Sequence, residues 1–168
     1  MDFNDHPLWK FSLAVYAAPG VSAACLDLQE RRGADVNLLL YAAFVGTSGR
    51  GRLNAAELAA CRAATRPWSE AVVQPLRRIR RGLKGGVAGV PGEPAEALRR
   101  AVQAAELEAE RIEQMTLAAR LGASAATADR PADALANMAA YLADLPAPDA
   151  AADEAALAAV AAALPASV

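Results

Sequence analysis

The sequence predicts an all-α protein, a compact bundle of about six or seven helices with a glycine-rich linker near residues 85–92. Three observations lead there. Alanine, the strongest helix former, supplies 46 of the 168 residues. No stretch alternates β-branched or aromatic residues with polar ones, so strand signals are nearly absent. Apolar residues instead recur at spacings of three and four between helix start and stop signals.

Taken in order, Pro7 stands at a first helical position and opens a helix to about Ala18, which Pro19-Gly20 ends. A second helix runs from about Val21 to Arg32, with Val21, Cys25 and Leu28 on one face and Gly33 as its C-terminal cap. The third starts near Asp35. Its Val36, Leu39, Leu40, Ala43 and Phe44 follow the i, i+3, i+4, i+7, i+8 pattern, and Leu38 and Tyr41 extend the apolar surface round it, which marks it as central to the core. Residues 46–51 read as a loop, after which Asn54 and Glu57 resemble a capping box opening a helix through Ala64. Pro67 restarts that helix and Pro75 removes a backbone donor, so a kink is expected near residues 71–75.

The stripe Val72, Leu76, Ile79 and Leu83 calls for a partner helix. Residues 85–92 hold four glycines and a proline, and beyond them a long helix from about Pro94 to Leu121 carries Leu98, Val102, Ala105, Ala109 and Ile112 on one face. Gly122 ends it. Leu135, Met138, Leu142 and Leu145 mark a further amphipathic helix over about 131–145. Residues 1–145 thus read as one helical domain: the N-terminal helices to residue 84, with 93–145 as a helical hairpin partner. Residues 146–168 read as an Ala-rich, weakly docked helix or tail anchored by Leu157, Val160 and Leu164.

Composition narrows the function classes. The formal net charge of -2 gives no global drive towards nucleic acid or acidic membranes. Two cysteines, Cys25 and Cys61, do not make a disulfide scaffold, and with the single histidine, His6, they do not make a structural zinc site. An apolar run follows Lys10, but Asp2 and Asp5 precede it and Pro19-Gly20 interrupts it, unlike a signal peptide. The uncharged stretches 36–49 and 155–168 each have 14 residues, short of the ~20 needed to span a bilayer. A cytoplasmic protein with free thiols and no membrane association is the expectation.

Pro7-Leu8-Trp9, Phe11-Ser12-Leu13 with Tyr16, Pro19-Gly20-Val21, Cys25-Leu26-Asp27-Leu28-Gln29 and Gly33 through Leu40 together resemble a family of small proteobacterial proteins, a domain of unknown function. Pro67-Trp68 and Val73 through Arg77 fit its later positions, so the resemblance spans residues 6–84 or so. It implies a small helical bacterial protein and carries over no activity and no catalytic residue.

Three polar constellations remain. Gln29, Asp35 and Asn37, with Trp9, outline a ligand pocket at the start of the third helix, while the simpler reading makes Asp35 a cap and Asn37 a bond to a neighbouring loop. Arg77, Arg78, Arg80, Arg81 and Lys84 form a basic face suited to an acidic or phosphate partner; no aromatic residue stands among the arginines for base stacking, which argues against nucleic acid. Up to Gly92 the chain has 12 Lys and Arg against 7 Asp and Glu, and beyond it 5 against 12, so this face and the acidic run Glu106, Glu108, Glu110, Glu113 are set to meet. Otherwise Glu106, Glu110 and Glu113 read as a solvated helix face: a di-iron site needs Glu-x-x-His pairs, which the chain lacks. No catalytic residue, metal site or cofactor is implied. The expected function is a non-catalytic helical protein that acts through a protein–protein contact or as a homodimer. The alternative is a small-molecule binder, or an enzyme of unfamiliar type, with its pocket near Trp9, Gln29, Asp35 and Asn37.

Overall fold

The computed structural model describes residues 3–122 and 129–165. These are helical throughout their regular elements and hold no strand. After a 3-10 turn at Phe3–Asp5 come α1 (Pro7–Tyr16), α2 (Val21–Arg32), α3 (Val36–Thr47), α4 (Ala55–Trp68), a π turn (Ser69–Val73), α5 (Gln74–Gly82), α6 (Gly92–Ala118), α7 (Arg130–Ala143) and α8 (Ala150–Ala162). With α4, the π turn and α5 taken as one continuous rod, the described residues form seven helices, an all-α bundle as expected.

The start and stop signals act as their chemistry dictates. His6 Nδ1 accepts from Leu8 N–H at the head of α1, where Pro7 has no donor to lose. Gly33 closes α2 in the left-handed region at φ 63°. Asn54 and Glu57 form both halves of a capping box on α4. The kink expected near 71–75 takes the form of the π turn. Pro75 cannot donate to the turn before it, and the helix absorbs the loss by shifting to an i→i+5 bond from Gln74 N–H to the Ser69 carbonyl.

α3 is the centre of the molecule. Every residue from Asn37 to Thr47 is buried, with α7 crossing one side and α1, α2 and α6 packed on the others. Its crossing with α7 is close enough to exclude a methyl group: a Cβ on Gly46 would fall 2.2 Å from the backbone nitrogen of Ala134. Asn137 of α7 stitches the following loop to this crossing. It donates to the carbonyls of Ala42 (3.3 Å) and Gly51 (3.0 Å) and accepts from Leu53 N–H (2.7 Å).

α8 lies against α2, with Leu157 and Val160 in the main core. Arg32, 2 % exposed, ties it down. Its guanidinium donates to the carbonyls of Leu142 (2.6 Å), Leu145 (2.9 Å) and Pro146 (2.7 Å) and pairs with Asp153. One side chain therefore satisfies the orphan carbonyls that end α7 and anchors the first turn of α8. Residues 166–168, at the end of the segment expected to be a weakly docked helix or tail, lie outside the described residues. The chain between α5 and α6, residues 83–91, forms exposed turns with Gly85, Gly86 and Gly89 at φ 85°, 85° and 80°.

Substitutions at three positions test this packing. Gly46→Ala must push the α3 and α7 backbones apart and should cost at least the ~1–3 kcal/mol typical of overpacking. Gly82→Ala, where an added Cβ meets nothing within 4 Å, should leave stability unchanged or raise it by up to ~1 kcal/mol; urea unfolding of both variants measures the contrast. Arg32→Ala leaves three carbonyls without their donor and Asp153 with Arg31 alone, an expected loss of ~3–5 kcal/mol. It should also hasten proteolysis within 150–162, with Arg32→Lys restoring little because a point ammonium does not reproduce the fork.

Candidate functional site

Where α2 ends, Gly33 and Ala34 turn the chain sharply into α3. Facing this corner are the π turn and the first turns of α5, and between them opens a cleft of about 280 Å³. Gln29, Asp35 and Glu113 line its inner side, and Arg77, Arg78 and Arg81 its α5 side; Ser69 of the π turn and Gln74 at the start of α5 contribute further polar groups. Two groups of residues that lie far apart in the chain thus share one cavity.

The other candidates fall around it. Asn37 stands one layer behind the cleft, bonded to Glu113 and Gln114. Trp9 is buried on α1 and does not line the cavity, and Lys84 is exposed beyond its mouth. Asp35 caps α3: its Oδ1 accepts from the N–H groups of Asn37 (2.9 Å) and Leu38 (3.3 Å), while its own N–H donates to the Tyr141 hydroxyl (2.7 Å).

The expected meeting of basic and acidic helices takes place at one point. Arg77 donates to Glu106 Oε1 (3.0 Å), Glu110 Oε1 (2.6 Å) and Gln29 Oε1 (2.6 Å), and Arg80 grips Glu106 with both edges of its fork. Arg81 reaches Glu30 on α2 at 3.5 Å. Burial works against the charge of Glu106, but Arg80 and Arg77 outweigh it and hold its carboxyl below the usual range. Glu110 is moved the other way: burial raises it and Arg77 offsets that only in part.

The solvated face expected for these carboxylates is not what forms. Glu106 is 4 % exposed and Glu113 1 %. Glu106 and Glu113 stand three before and four after the buried Ala109, so they share its stripe. That register was visible in the sequence; the residue type concealed it. Glu113 accepts from Asn37 Nδ2 (2.7 Å) through Oε2, whereas its Oε1 meets no donor among the described residues. Burial, followed by the adjacent Asp35 carboxylate, pushes the Glu113 carboxyl far above the usual range. Its proton turns two facing acceptors, Glu113 and Asp35, into a donor and an acceptor.

Nucleophilic and metal chemistry find little support here. Burial pushes the Cys25 thiol up to about 11 and raises that of Cys61 as well, so both are thiols and not thiolates at neutral pH. Among the described residues no group of His, Cys, Asp and Glu is arranged to hold a metal ion, and no helix is long and apolar enough to cross a membrane.

Residues 7–117 match the family model described as protein of unknown function, DUF2390. The chain belongs to the DUF2390 family. The match takes in every residue lining the cleft and most of α6, further than the resemblance over 6–84 reached. α7 and α8 lie beyond it. No curated protein and no solved structure matches the chain.

The state of Glu113 is open to measurement. A carboxyl whose folded pKa is raised contributes fully below the unfolded carboxylate range, where both states hold the proton. As pH climbs from about 4.5 towards about 9, the unfolded chain has released that proton while the folded chain still binds it, so stability falls. Glu113→Gln keeps an acceptor for Asn37 and a donor for Asp35 without titrating, and should flatten this decline. Denaturant unfolding of both proteins across the range checks it, and parallel curves would mean that Glu113 is ionised in the folded state.

Proposed function

We propose that this protein acts by contact and not by catalysis, in the cytoplasm, through an arm made of α5 and the N-terminal half of α6. One observation carries the reading: α5 buries none of its residues, although it is apolar on one side. Its packing goes chiefly to α6 and the π turn, and α2 reaches it through the side-chain bonds of Arg77 and Arg81. Ile79 is accordingly 50 % exposed and Leu98 54 %, while Val87 and Val90 stand open in the turns between the helices. The stripe expected to close against a partner helix therefore meets α6 but remains half open, because two helices alone cannot cover both flanks of their seam.

The Arg78 and Lys84 side chains carry no hydrogen bond or ion pair among the described residues. Apolar side chains set among unpaired cations fit a protein partner that presents apolar groups ringed by carboxylates. The absence of aromatic residues between the arginines favours such a partner over nucleic acid. The two buried, unpaired thiols suit a reducing compartment.

The test is a pair of substitutions, Ile79→Asp and Leu98→Asp, each at an exposed position. Stability should stay within ~0.5 kcal/mol of the parent, while specific capture of a partner from native cytoplasm should be lost in both and weakened by Lys84→Glu. Light scattering on the purified chain separates the homodimer: a dimer that the same two substitutions dissociate makes a second copy the partner. Unfolding on substitution would show these side chains to be core, and capture indifferent to both would remove the arm from the interaction.

A further inference from the structure

We propose that the cleft between the α2–α3 corner and α5 is a binding site for a small amino carboxylate, its ammonium at Glu113 and Asp35 and its carboxylate at Arg78 and Arg81. The groups left over after the protein's own bonds are counted lead to this ligand. Each of the three guanidinium nitrogens of Arg77 is bonded, to Glu106, Gln29 and Glu110, so it forms wall. Asp35 Oδ1 is committed to the α3 cap.

What remains at the inner end is an acceptor, Glu113 Oε1, on a residue 99 % removed from solvent and lining the cavity, with the Asp35 carboxylate beside it. At the mouth remain the guanidinium of Arg78, without a partner among the described residues, and that of Arg81, held only by its long, exposed pair with Glu30. The Ser69 hydroxyl and the Gln74 amide line the space between them and make no side-chain hydrogen bond among the described residues.

A simple anion would satisfy the mouth, but the Asp35 carboxylate inside would repel it. A simple amine would satisfy the inner end and leave the arginines unpaired. A molecule with both groups answers both ends. In the empty cleft a proton between Glu113 and Asp35 does part of this work, and the ligand's ammonium takes its place. The volume of about 280 Å³ falls just below the ~300–1,000 Å³ of sites for drug-sized ligands, which limits the occupant to amino-acid size.

The proposal is independent of the arm. Its test uses the full chain in thermal-shift and calorimetric titrations against the proteinogenic L-amino acids and ω-amino acids of increasing length. Matched probes are a carboxylic acid without an amine, an amine without a carboxylate, and inorganic phosphate. At least one amino carboxylate should raise the melting temperature and saturate, with the single-function probes about tenfold weaker or worse. Arg78→Ala should weaken that binding by about tenfold or more, the loss of one charge-assisted hydrogen bond, without shifting the melting temperature of the empty protein. Glu113→Gln should weaken it similarly, and Ile79→Asp on the arm should leave it unchanged. Binding of no amino carboxylate, equal binding of phosphate or the bare acid, or wild-type affinity in Arg78→Ala would each overturn the assignment.

Discussion

A helix with no wet face governs this fold. α3 is buried from Asn37 to Thr47, so the bundle is arranged to surround it and each polar group on it must find its partner inside. Thr47 turns its hydroxyl back to the Ala43 carbonyl at 2.9 Å. Asn137 crosses from α7 to the Ala42 carbonyl. At the N-terminus Asp35 supplies the cap, and Asn37 recruits Glu113 and Gln114 from α6. The same requirement explains Gly46: a helix enclosed on every side must let one neighbour approach along bare backbone, and α7 does so there.

The buried carboxylates follow from this. Asn37 offers an amide donor and an amide acceptor in a place without water, and α6 answers with Glu113 Oε2 and Gln114 Nε2. Placing Glu113 beside Asp35 has an electrostatic cost, which a retained proton relieves. Two turns further towards the α6 N-terminus the solution is the opposite one. Glu106 keeps its charge because Arg77 and Arg80 reach it. Identical side chains on one helix thus shift in opposite directions according to whether α5 supplies enough guanidinium to outweigh burial: two on Glu106 do, and Arg77 alone on Glu110 does not.

Much of this was legible in the chain. Gly33, Asn54 with Glu57, Asp35 and Pro7 each have a local mechanism that needs no tertiary context, and each forms the expected cap or stop. The apolar run of residues 38–46 identified the core helix for the same reason. The cleft was half legible: Gln29 and Asp35 on one side and the arginines on the other were singled out, but nothing local brings residue 29 to residue 78. What stayed hidden depends on neighbours. A glutamate at a core register is read as solvent-facing unless its partners are known, and the pairings of Glu113 with Asn37 and of Glu106 with Arg80 span dozens of residues. The π turn was foreseen only as a kink, because Pro75 specifies a missing donor and not how the helix repairs the loss. Ile79 and Leu98 looked like seam residues by spacing, and whether a third layer covers a seam is a property of the whole bundle.

The position of α5 joins the two surfaces that matter most. One face supplies the cleft's arginine wall, and Ile79 and Lys84 belong to the open arm, yet the helix buries nothing of its own to hold it in place. Its seat is electrostatic: Arg77 and Arg80 on Glu106, Arg77 on Glu110, and a further bond from Arg77 to Gln29 on α2. Just below, Trp68 fixes the preceding rod to α6 by donating to the Ala109 carbonyl at 2.9 Å. Ion pairs of this kind are directional and specify register, whereas apolar burial would have specified depth. The π turn sits between the apolar anchor and the ionic seat, so a change in its hydrogen-bond register would rotate α5 about its own axis. Such a rotation would move Arg78 and Arg81 relative to Glu113 and, in the same motion, re-aim Ile79. The geometry of the cleft and the presentation of the arm therefore both depend on this seat, which five side chains on three helices form.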